Sequence, residues 1–592
     1  MFRLWSSSTL SLRLSKFNAS SPIYPRCLRC RRSVNNPKQW RRLSSTVDPK
    51  SLMMDLKSDL FNYTTGRFLA NDAYRLRERQ RIFDMPGLFN IVANAMNCKV
   101  EQITDFRRLA EGGLNRVFLV TLDTNLKLVA RIPYPLLVPK AYAVASEVAT
   151  MDYLRSKGVP TPKVYAYSFT PDNEAQTEYV LMEYIEGRDL REVWFYLKKN
   201  EIISLMNQLV KIESAMMATS FPAGGSIYYA EDLKKLCGKE GITIEEQEQV
   251  NDGKGRFCVG PDVSVALWYG RREQLDVFRG PYEDAESVLV AGAKKELAYL
   301  EQFGSPKQPY DRSRRNYYYF KPQLPSDHAQ NLQHYLLLAP SLVPKDDLLT
   351  TFRLRHPDLT ENNIRISTSA SGDLQIVGVL DWQHTAVLPL FLNAGMPDFV
   401  QNQADEFSRS MKKPVVPDNL DELSEEEQEV LRRRLVYYYY VISTLTYNKL
   451  HQKGLAYSHN AACRRIYIHA TAPWKGETIG LRFALINCVL DWAESASDER
   501  CPVAFTATEI EEAVNLMQGL QEAEEDDRLL RTYIGYNDDT WVPAADYEAA
   551  RTRAQEVKQK SFEFTESEEE SAAIDANWLF DDMDEAELEG YK

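Results

Sequence analysis

Hydrophobic and polar residues alternate with a period of two between residues 104 and 132, and a short turn interrupts the alternation. This period is typical of strands that bury one face. The strand-like segments lie at 106–109, 117–120 and 126–132, and the turn after the first segment reads Glu111-Gly112-Gly113-Leu114-Asn115. The pattern predicts three short strands joined as a meander.

The next two segments predict a helix and a further strand. Apolar Val148, Met151 and Leu154 recur with helical spacing over 145–157, and a glycine and a proline follow at 158 and 160. Residues 177–184 again have the composition of a strand. Strands, one helix and another strand predict a small α+β lobe over residues 101–187.

From residue 189 onwards the apolar spacing becomes mainly helical. Residues 224–280 mix strand and turn signals over a length that is unusual for a connection inside a compact lobe. We therefore predict a large helical lobe over 188–547, with an insertion at about 224–347 that shapes access to a substrate. The fold class is α+β with two lobes, and the expected helices of the large lobe are 193–219, 282–301, 326–338, 425–449 and 510–528.

The first 47 residues differ in composition from the rest of the chain. They contain ten Lys and Arg residues, many serines and no Asp or Glu, which is typical of a mitochondrial transit peptide. A basic arm without structure is the alternative interpretation. Residues 41–45 resemble a cleavage site of the matrix peptidase, so we expect a mature protein that begins near 44–48 in the mitochondrial matrix. Residues 48–100 then form an N-terminal extension.

Charge and cysteine usage exclude several classes of protein. The net charge of -13 argues against nucleic acid as a partner, because a phosphate backbone requires a basic face. No apolar run reaches the ~18 residues that a membrane-spanning helix needs. The eight cysteines are scattered, and the close pair Cys27 and Cys30 has no second pair to complete a zinc site.

The C-terminal residues 548–592 form an acidic segment. Twelve acidic residues and one basic residue lie between 562 and 592, which favours a solvated tail. The apolar residues 578–580 offer the alternative of a docking patch.

The candidate chemistry lies between His356 and Gln383. The segment His356-Pro357-Asp358 leads to Asn363, and two apolar strands around a Ser/Gly/Asp turn then end at Asp381-Trp382-Gln383. A hairpin centred near Gly372 would place Asn363 opposite Asp381. An amide and a carboxylate there offer the oxygen ligands that Mg²⁺ takes together with nucleotide phosphates. Asp358 could then orient or deprotonate an attacking hydroxyl; a polar turn that caps a hairpin is the alternative.

Two neighbouring features have structural interpretations as well. Gly112 and Gly113 would let backbone amides approach phosphates, although the same residues also make an ordinary hairpin turn. His356 is expected to organise the backbone rather than to transfer protons.

The spacing His-x-Asp-x4-Asn followed by Asp-Trp-Gln resembles the aminoglycoside-phosphotransferase-like family. This resemblance implies a bilobal protein-kinase-like fold, a small strand-rich N-lobe, and binding of ATP with Mg²⁺. It further implies that Asp358 is the catalytic residue, that Asn363 and Asp381 are metal ligands, and that Arg131 and its helix partner Glu147 lie at the phosphates. Arg131 departs from the lysine that kinases usually have. The backbone of residues 182–185, with Glu183 and Tyr184, would contact adenine.

Three functions remain in view. The first is an ATP-dependent phosphotransferase that acts on a small-molecule hydroxyl. The second is a nucleotide-binding pseudokinase that serves as a mitochondrial scaffold or regulator, which Arg131 and the short glycine turn favour. The third is an interaction protein that acts through its acidic segment. The sequence indicates neither the acceptor nor the oligomeric state.

Overall fold

The computed structural model describes residues 58–244, 256–417, 423–494, 500–565 and 567–592. The predicted presequence and the pair Cys27 and Cys30 lie outside the described residues. Within the described ranges, every helix is too short or too polar to cross a membrane.

The small lobe begins earlier in the chain than predicted. Three elements precede its sheet, namely β1 (Gly66–Phe68), α1 (Asp72–Glu78) and α2 (Met85–Met96). Apolar side chains of this extension, including Phe61, Phe83 and Leu88, pack against one face of the sheet. The N-terminal extension is therefore part of the core of the small lobe.

The predicted meander is confirmed as part of a five-stranded antiparallel sheet in the order β2-β3-β4-β6-β5. Leu128, Ala130 and Ile132 of the third strand face the extension, so alternation turns Arg131 towards the opposite face, where a long helix lies. The elements of the lobe are β2 (Ile103–Glu111), β3 (Asn115–Leu122), β4 (Lys127–Pro133), α3 (Lys140–Ser156), β5 (Val164–Ser168) and β6 (Tyr179–Glu183).

The remainder of the chain is mainly helical, as predicted. Two of its long helices begin with capping boxes, Ser424 with Glu427 and Thr506 with Glu509, and the second ends at Gly535 in the left-handed region. The first part of the lobe contains β7 (Arg188–Asp189), α4 (Leu190–Val193), α5 (Lys199–Ala218), β8 (Ser226–Tyr229), α6 (Ala230–Cys237), β9 (Ile242–Thr243), β10 (Phe257–Gly260), α7 (Val265–Trp268), α8 (Ala285–Phe303), α9 (Pro325–Leu342), α10 (Asp347–Thr350) and β11 (Phe352–Leu354).

The second part carries the candidate site and the C-terminal helices. Strands β12 and β13 form the predicted hairpin, and β7 extends it to a three-stranded sheet. The elements are β12 (Ile364–Thr368), β13 (Leu374–Val379), β14 (Val387–Pro389), α11 (Leu390–Asn393), α12 (Glu406–Arg409), α13 (Glu425–Tyr447), α14 (Lys449–Ala456), α15 (Asn460–Thr471), α16 (Ile479–Glu494), α17 (Ala507–Ile534), β15 (Trp541–Pro543), α18 (Tyr547–Phe562), α19 (Glu568–Ala576) and α20 (Glu585–Gly590).

The predicted insertion packs against the back of α3. Its strands form a sheet in the order β8-β10-β9, and Tyr228, Leu233, Cys258 and Val263 bury Ala145 of α3 between them. The insertion therefore supports the helix that carries Glu147. Whether it also shapes access to a substrate stays a prediction.

The interpretation of residues 562–592 as a solvated tail is wrong. Trp578 and Phe580 are buried in a cluster with Ile534 and Tyr536, and Tyr591 is buried beside Tyr310. The acidic residues stay compatible with this packing because they occupy exposed faces and helix N-termini, where the helix dipole favours negative charge. The charge of this segment favoured exposure, whereas its apolar residues are buried against other parts of the fold.

Candidate functional site

Arg131 and Glu147 form a buried ion pair between β4 and α3. Arg131 Nη1 donates to Glu147 Oε1 over 2.7 Å and Nη2 donates to Oε2, so the guanidinium and the carboxylate meet as a two-pronged fork. Burial raises the pKa of Glu147, while the charge of Arg131 opposes that rise. The negative charge of Asp381 also acts on both groups, which places them beside the end of the hairpin.

His356 holds the loop before the hairpin to the segment after it. Its Nε2 donates to the carbonyl oxygen of Leu380 over 2.9 Å, and its Nδ1 accepts from the backbone N–H of Asp358 over 3.0 Å. The ring of Trp382 lies 4.5 Å from the imidazole, centroid to centroid. Burial lowers the pKa of His356 to about 4, so the ring stays neutral and serves as a backbone clamp.

The hairpin register differs by one residue from the prediction. Ile364 pairs with Val379, and Leu380 N–H donates to the carbonyl oxygen of Asn363 over 2.8 Å, so Asn363 lies opposite Leu380. Thr368 pairs with Leu374, so the hairpin is centred at Ser371, one residue before the predicted Gly372. An extra residue in β13 after Arg365 then moves Asn363 from a position opposite Val379 to one opposite Leu380. Asp381 therefore lies one position beyond the paired strands.

Asp381 and Asn363 both present oxygen atoms at this end of the hairpin. Asp381 is exposed in the left-handed backbone region, with φ at 64°, and within the described residues its carboxylate has no hydrogen-bond partner. Asn363 Nδ2 donates to the carbonyl oxygen of Asp358 over 2.9 Å, which turns its Oδ1 away from that loop. No group of three or more His, Cys, Asp or Glu side chains suited to a metal ion occurs among the described residues. This pair fits Mg²⁺, which takes one or two protein ligands together with phosphates and water.

Asp358 lies next to these two oxygens. Asn363 Nδ2 also approaches Asp358 Oδ2 at 3.3 Å. Desolvation raises the pKa of Asp358, and the charges of Asp381 and Asp398 add to the rise. A carboxylate whose pKa is raised has more affinity for a proton, which suits a group that accepts one from a hydroxyl.

The glycine turn leaves open space at its tip. A Cβ atom on Gly113 would meet no atom within 4 Å, and one on Gly112 would reach only the carbonyl oxygen of Asn115, at 3.7 Å. Both glycines therefore have room for an approaching group such as a phosphate.

Glu183 and Tyr184 lie where the sheet leads into the large lobe. Glu183 Oε2 accepts from the backbone N–H of Lys163 over 3.1 Å, and Lys127 lies over the ring of Tyr184 at 5.6 Å. Both side chains are thus engaged by the small lobe. Contact of their backbone with adenine stays a prediction.

One contact between residues of the site could not be predicted from the sequence. Asn115 Nδ2 donates to Gln383 Oε1 over 2.7 Å, and both side chains are buried. The two residues lie 268 positions apart, and one belongs to each lobe. Both stand inside the motifs noted above, but their pairing is visible only once the lobes meet.

The strand-rich small lobe with its Arg–Glu pair, the helical large lobe and the loop from His356 to Gln383 define a bilobal α+β protein of the kinase-like class. The model of the phosphotransferase enzyme family matches residues 105–253. This match confirms the predicted family resemblance.

Two relatives extend the similarity over much of the chain. A subtelomeric hrmA-associated cluster protein of Aspergillus fumigatus is 29% identical over 457 residues, which cover 71% of this chain and 86% of that protein. Altered inheritance of mitochondria protein 9, mitochondrial, of Yarrowia lipolytica is 28% identical over 388 residues, covering 62% of this chain and 64% of the relative. The name of the second relative places that protein in mitochondria.

Solved structures of low sequence identity are similar as well. The streptomycin–ATP ternary complex of APH(2")-IIa has a TM-score of 0.33 at 12% identity, covering 70% of this chain and 98% of the other. An ethanolamine kinase of Plasmodium vivax has a TM-score of 0.29 at 12% identity, covering 70% and 81%. Scores this low identify neither a ligand nor a reaction.

Proposed function

We propose that this protein is an ATP-dependent phosphotransferase that transfers the γ-phosphoryl group to the hydroxyl of a small molecule. The observation that carries the proposal is the convergence of Asp358, Asn363 and Asp381 at one end of a hairpin, beside the Arg131–Glu147 pair. A bound Mg²⁺ would neutralise charge on the phosphates.

The residues divide the work between binding and chemistry. Asp381 and the Oδ1 of Asn363 would hold the Mg²⁺ ion. Asp358 accepts the proton of the acceptor hydroxyl while the hydroxyl oxygen bonds to the γ-phosphorus. The bond from that phosphorus to the β-γ bridging oxygen breaks, and ADP leaves with the electron pair. Arg131 and the amides of the glycine turn lie at the phosphates.

A nucleotide-binding pseudokinase is the second candidate. The observation that favours it is the buried fork of Arg131 and Glu147, which engages both terminal nitrogens of the guanidinium. Such a pair can be purely structural. In that case the protein would bind nucleotide and act as a mitochondrial scaffold or regulator.

Binding and chemistry are tested with two carboxylate variants. Mg-ATP at 100 times its Kd should stabilise the mature protein by about 2.7 kcal/mol, and ATP with a chelator should stabilise it less. Asp381→Asn should weaken Mg-ATP binding, because a full negative charge on the cation is lost. Asp358→Asn should spare binding and lower kcat by roughly 10²–10⁴-fold, because its interaction develops in the transition state.

Calorimetric titration measures binding, and turnover is followed with an acceptor found by comparing phosphorylated metabolites formed in extract by wild type and Asp358→Asn. Equal loss of Mg-ATP affinity in both variants would contradict the division of roles. Absence of any response of the wild type to Mg-ATP would contradict the proposal itself. Binding without any turnover dependent on Asp358 would favour the pseudokinase.

We also propose a mitochondrial location, in the matrix. The basic, acid-free residues 1–47 and the mitochondrial name of the Yarrowia lipolytica relative support it. Peptide mapping of the protein from isolated mitochondria should find a mature N-terminus near residues 44–48. A mature protein that begins at Met1 would contradict the presequence.

A further inference from the structure

Gly112 and Gly113 at the tip of the glycine turn have no side chain that could fix the tip, so its position depends on the residues that flank it. The Cβ positions of Gly112 and Gly113 are free of close protein contacts. At the outer stem, Glu111 accepts from the backbone N–H groups of Thr64 and Thr65, both over 3.0 Å. That stem is thus fastened to the N-terminal extension of the same lobe.

The inner stem is fastened to the other lobe. Asn115, the first residue of β3, donates to Gln383 over 2.7 Å, and the return contact from Gln383 Nε2 to Asn115 Oδ1 measures 3.5 Å. An unpaired amide at such a buried position costs more than a surface contact, because neither group can turn to water instead. Burial of the two side chains therefore favours the hydrogen bond between them.

Gln383 is fixed within its own segment. The Trp382 indole donates to the carbonyl oxygen of Val379 over 2.9 Å, and Thr385 Oγ1 donates to the carbonyl oxygen of Trp382 over 2.6 Å. Asp381 lies two residues before Gln383. A displacement of Gln383 would consequently move the Asp381 carboxylate, which would face the Mg²⁺ ion under the proposed function.

We infer that Asn115 and Gln383 are positioning residues whose amide bridge sets the separation between the glycine turn and the Asp381 carboxylate, to the length that a metal-bound triphosphate spans. The inference rests on the proposed function, since the separation that the bridge sets is the one that bound Mg-ATP would require. Neither side chain needs to touch the nucleotide. Each acts through its neighbour, the turn or Asp381.

Hydrogen exchange in the nucleotide-free protein tests the mechanical link. Gln383→Ala should accelerate exchange about 10-fold at residues 111–115 in the opposite lobe, because the inner stem loses its anchor. Gln375→Ala is the matched control, since Gln375 lies on the same hairpin with an exposed side chain. Unchanged exchange at the turn in Gln383→Ala would overturn the inference whether or not the protein binds nucleotide.

Nucleotide binding tests the positioning itself. Asn115→Ala and Gln383→Ala should each raise the Kd for Mg-ATP about 10-fold and change the Kd for ATP with chelator less than about 2-fold, because only the metal-bound form needs both lobes in register. The exchanged pair Asn115→Gln with Gln383→Asn keeps the number of methylene groups across the bridge. It should restore the Mg-ATP affinity that the single exchanges lose.

The outcomes separate the two proposals. Equal loss of affinity for ATP with and without metal, or an exchanged pair no better than the single exchanges, would overturn the positioning role and leave the proposed function standing. Failure of the wild type to bind Mg-ATP would overturn the proposed function, and the positioning role with it. The exchange measurement would then still report whether the bridge couples the lobes.

Discussion

The guanidinium of Arg131 binds the carboxylate of Glu147 and, under the proposed function, would also bind a phosphate. The residue is only 6% exposed, and its guanidinium faces Glu147 of α3 rather than solvent. An arginine can hold a carboxylate with two nitrogens and still present its remaining edge, whereas a lysine is a single point charge. The substitution of arginine for the usual lysine is therefore compatible with binding.

Removal of one partner of this pair separates its structural role from its binding role. Arg131→Met should lower the free energy of unfolding by about 3–5 kcal/mol, because Glu147 is left buried and unpaired. The double variant Arg131→Met with Glu147→Leu should recover most of that loss in urea denaturation. Under the proposed function it should nevertheless fail to bind Mg-ATP, measured by calorimetry. A stable double variant with wild-type affinity would show that the pair is structural only.

At the scale of elements, the glycine turn is connected to segments that the family pattern does not include. Glu111 is buried with Arg116, and its carboxylate also accepts from the N-terminal extension. That extension pairs through β1 with β15, so Gly66 lies opposite Pro543. Both ends of the described chain thus support the small lobe.

The substitution Glu111→Gln tests this connection. It should lower the free energy of unfolding by about 3–5 kcal/mol, because the Arg116 charge loses its buried partner and the amide replaces an acceptor with a donor. Limited proteolysis should then cleave the extension before residue 98 faster than in the wild type. Glu101→Gln, at an exposed position of the same lobe, is the control. An extension as resistant as that of the control would contradict the anchoring role.

At the scale of the whole molecule, buried histidines make the fold sensitive to acid. Five of the seven histidines have a lowered pKa, in each case first because burial disfavours the charged ring. His451, whose Nε2 contacts the carbonyl oxygen of Gly395 at 3.0 Å, has a pKa of about 3, and His328 has one of about 4. They must be neutral in the folded protein.

Stability should therefore fall as the pH drops below about 6.5. Unfolded histidines bind protons there while the folded ones stay neutral down to about pH 4, so the unfolded state gains. At pH 4.5, His451 and His328 should each lower the free energy of unfolding by on the order of 2–3 kcal/mol. Urea midpoints at pH 7.5 and 5.0 measure the effect. His451→Gln, which keeps a donor for Gly395, should show a smaller loss than the exposed control His459→Gln; an unchanged wild-type midpoint would contradict the argument.

The sequence by itself determined the local parts of this protein. Alternation predicted β2, β3 and β4, and helical spacing predicted α3, α5, α8, α9, α13 and α17, because both periods act between near neighbours in the chain. The spacing from Asp358 to Asn363 and the Asp381 motif were visible for the same reason. The predicted roles of these site residues, as opposed to their proximity, still await the experiments above.

Tertiary structure alone decided the contacts between distant segments. The bulge in β13 moved Asn363 opposite Leu380, the burial of Trp578 and Phe580 made a packed segment of an acidic one, and Asn115 met Gln383 only across the two lobes. Each depends on surfaces that other parts of the chain supply. Burial and pairing between segments far apart in the chain are properties of the assembled core. They cannot be predicted from the composition or spacing of one segment alone.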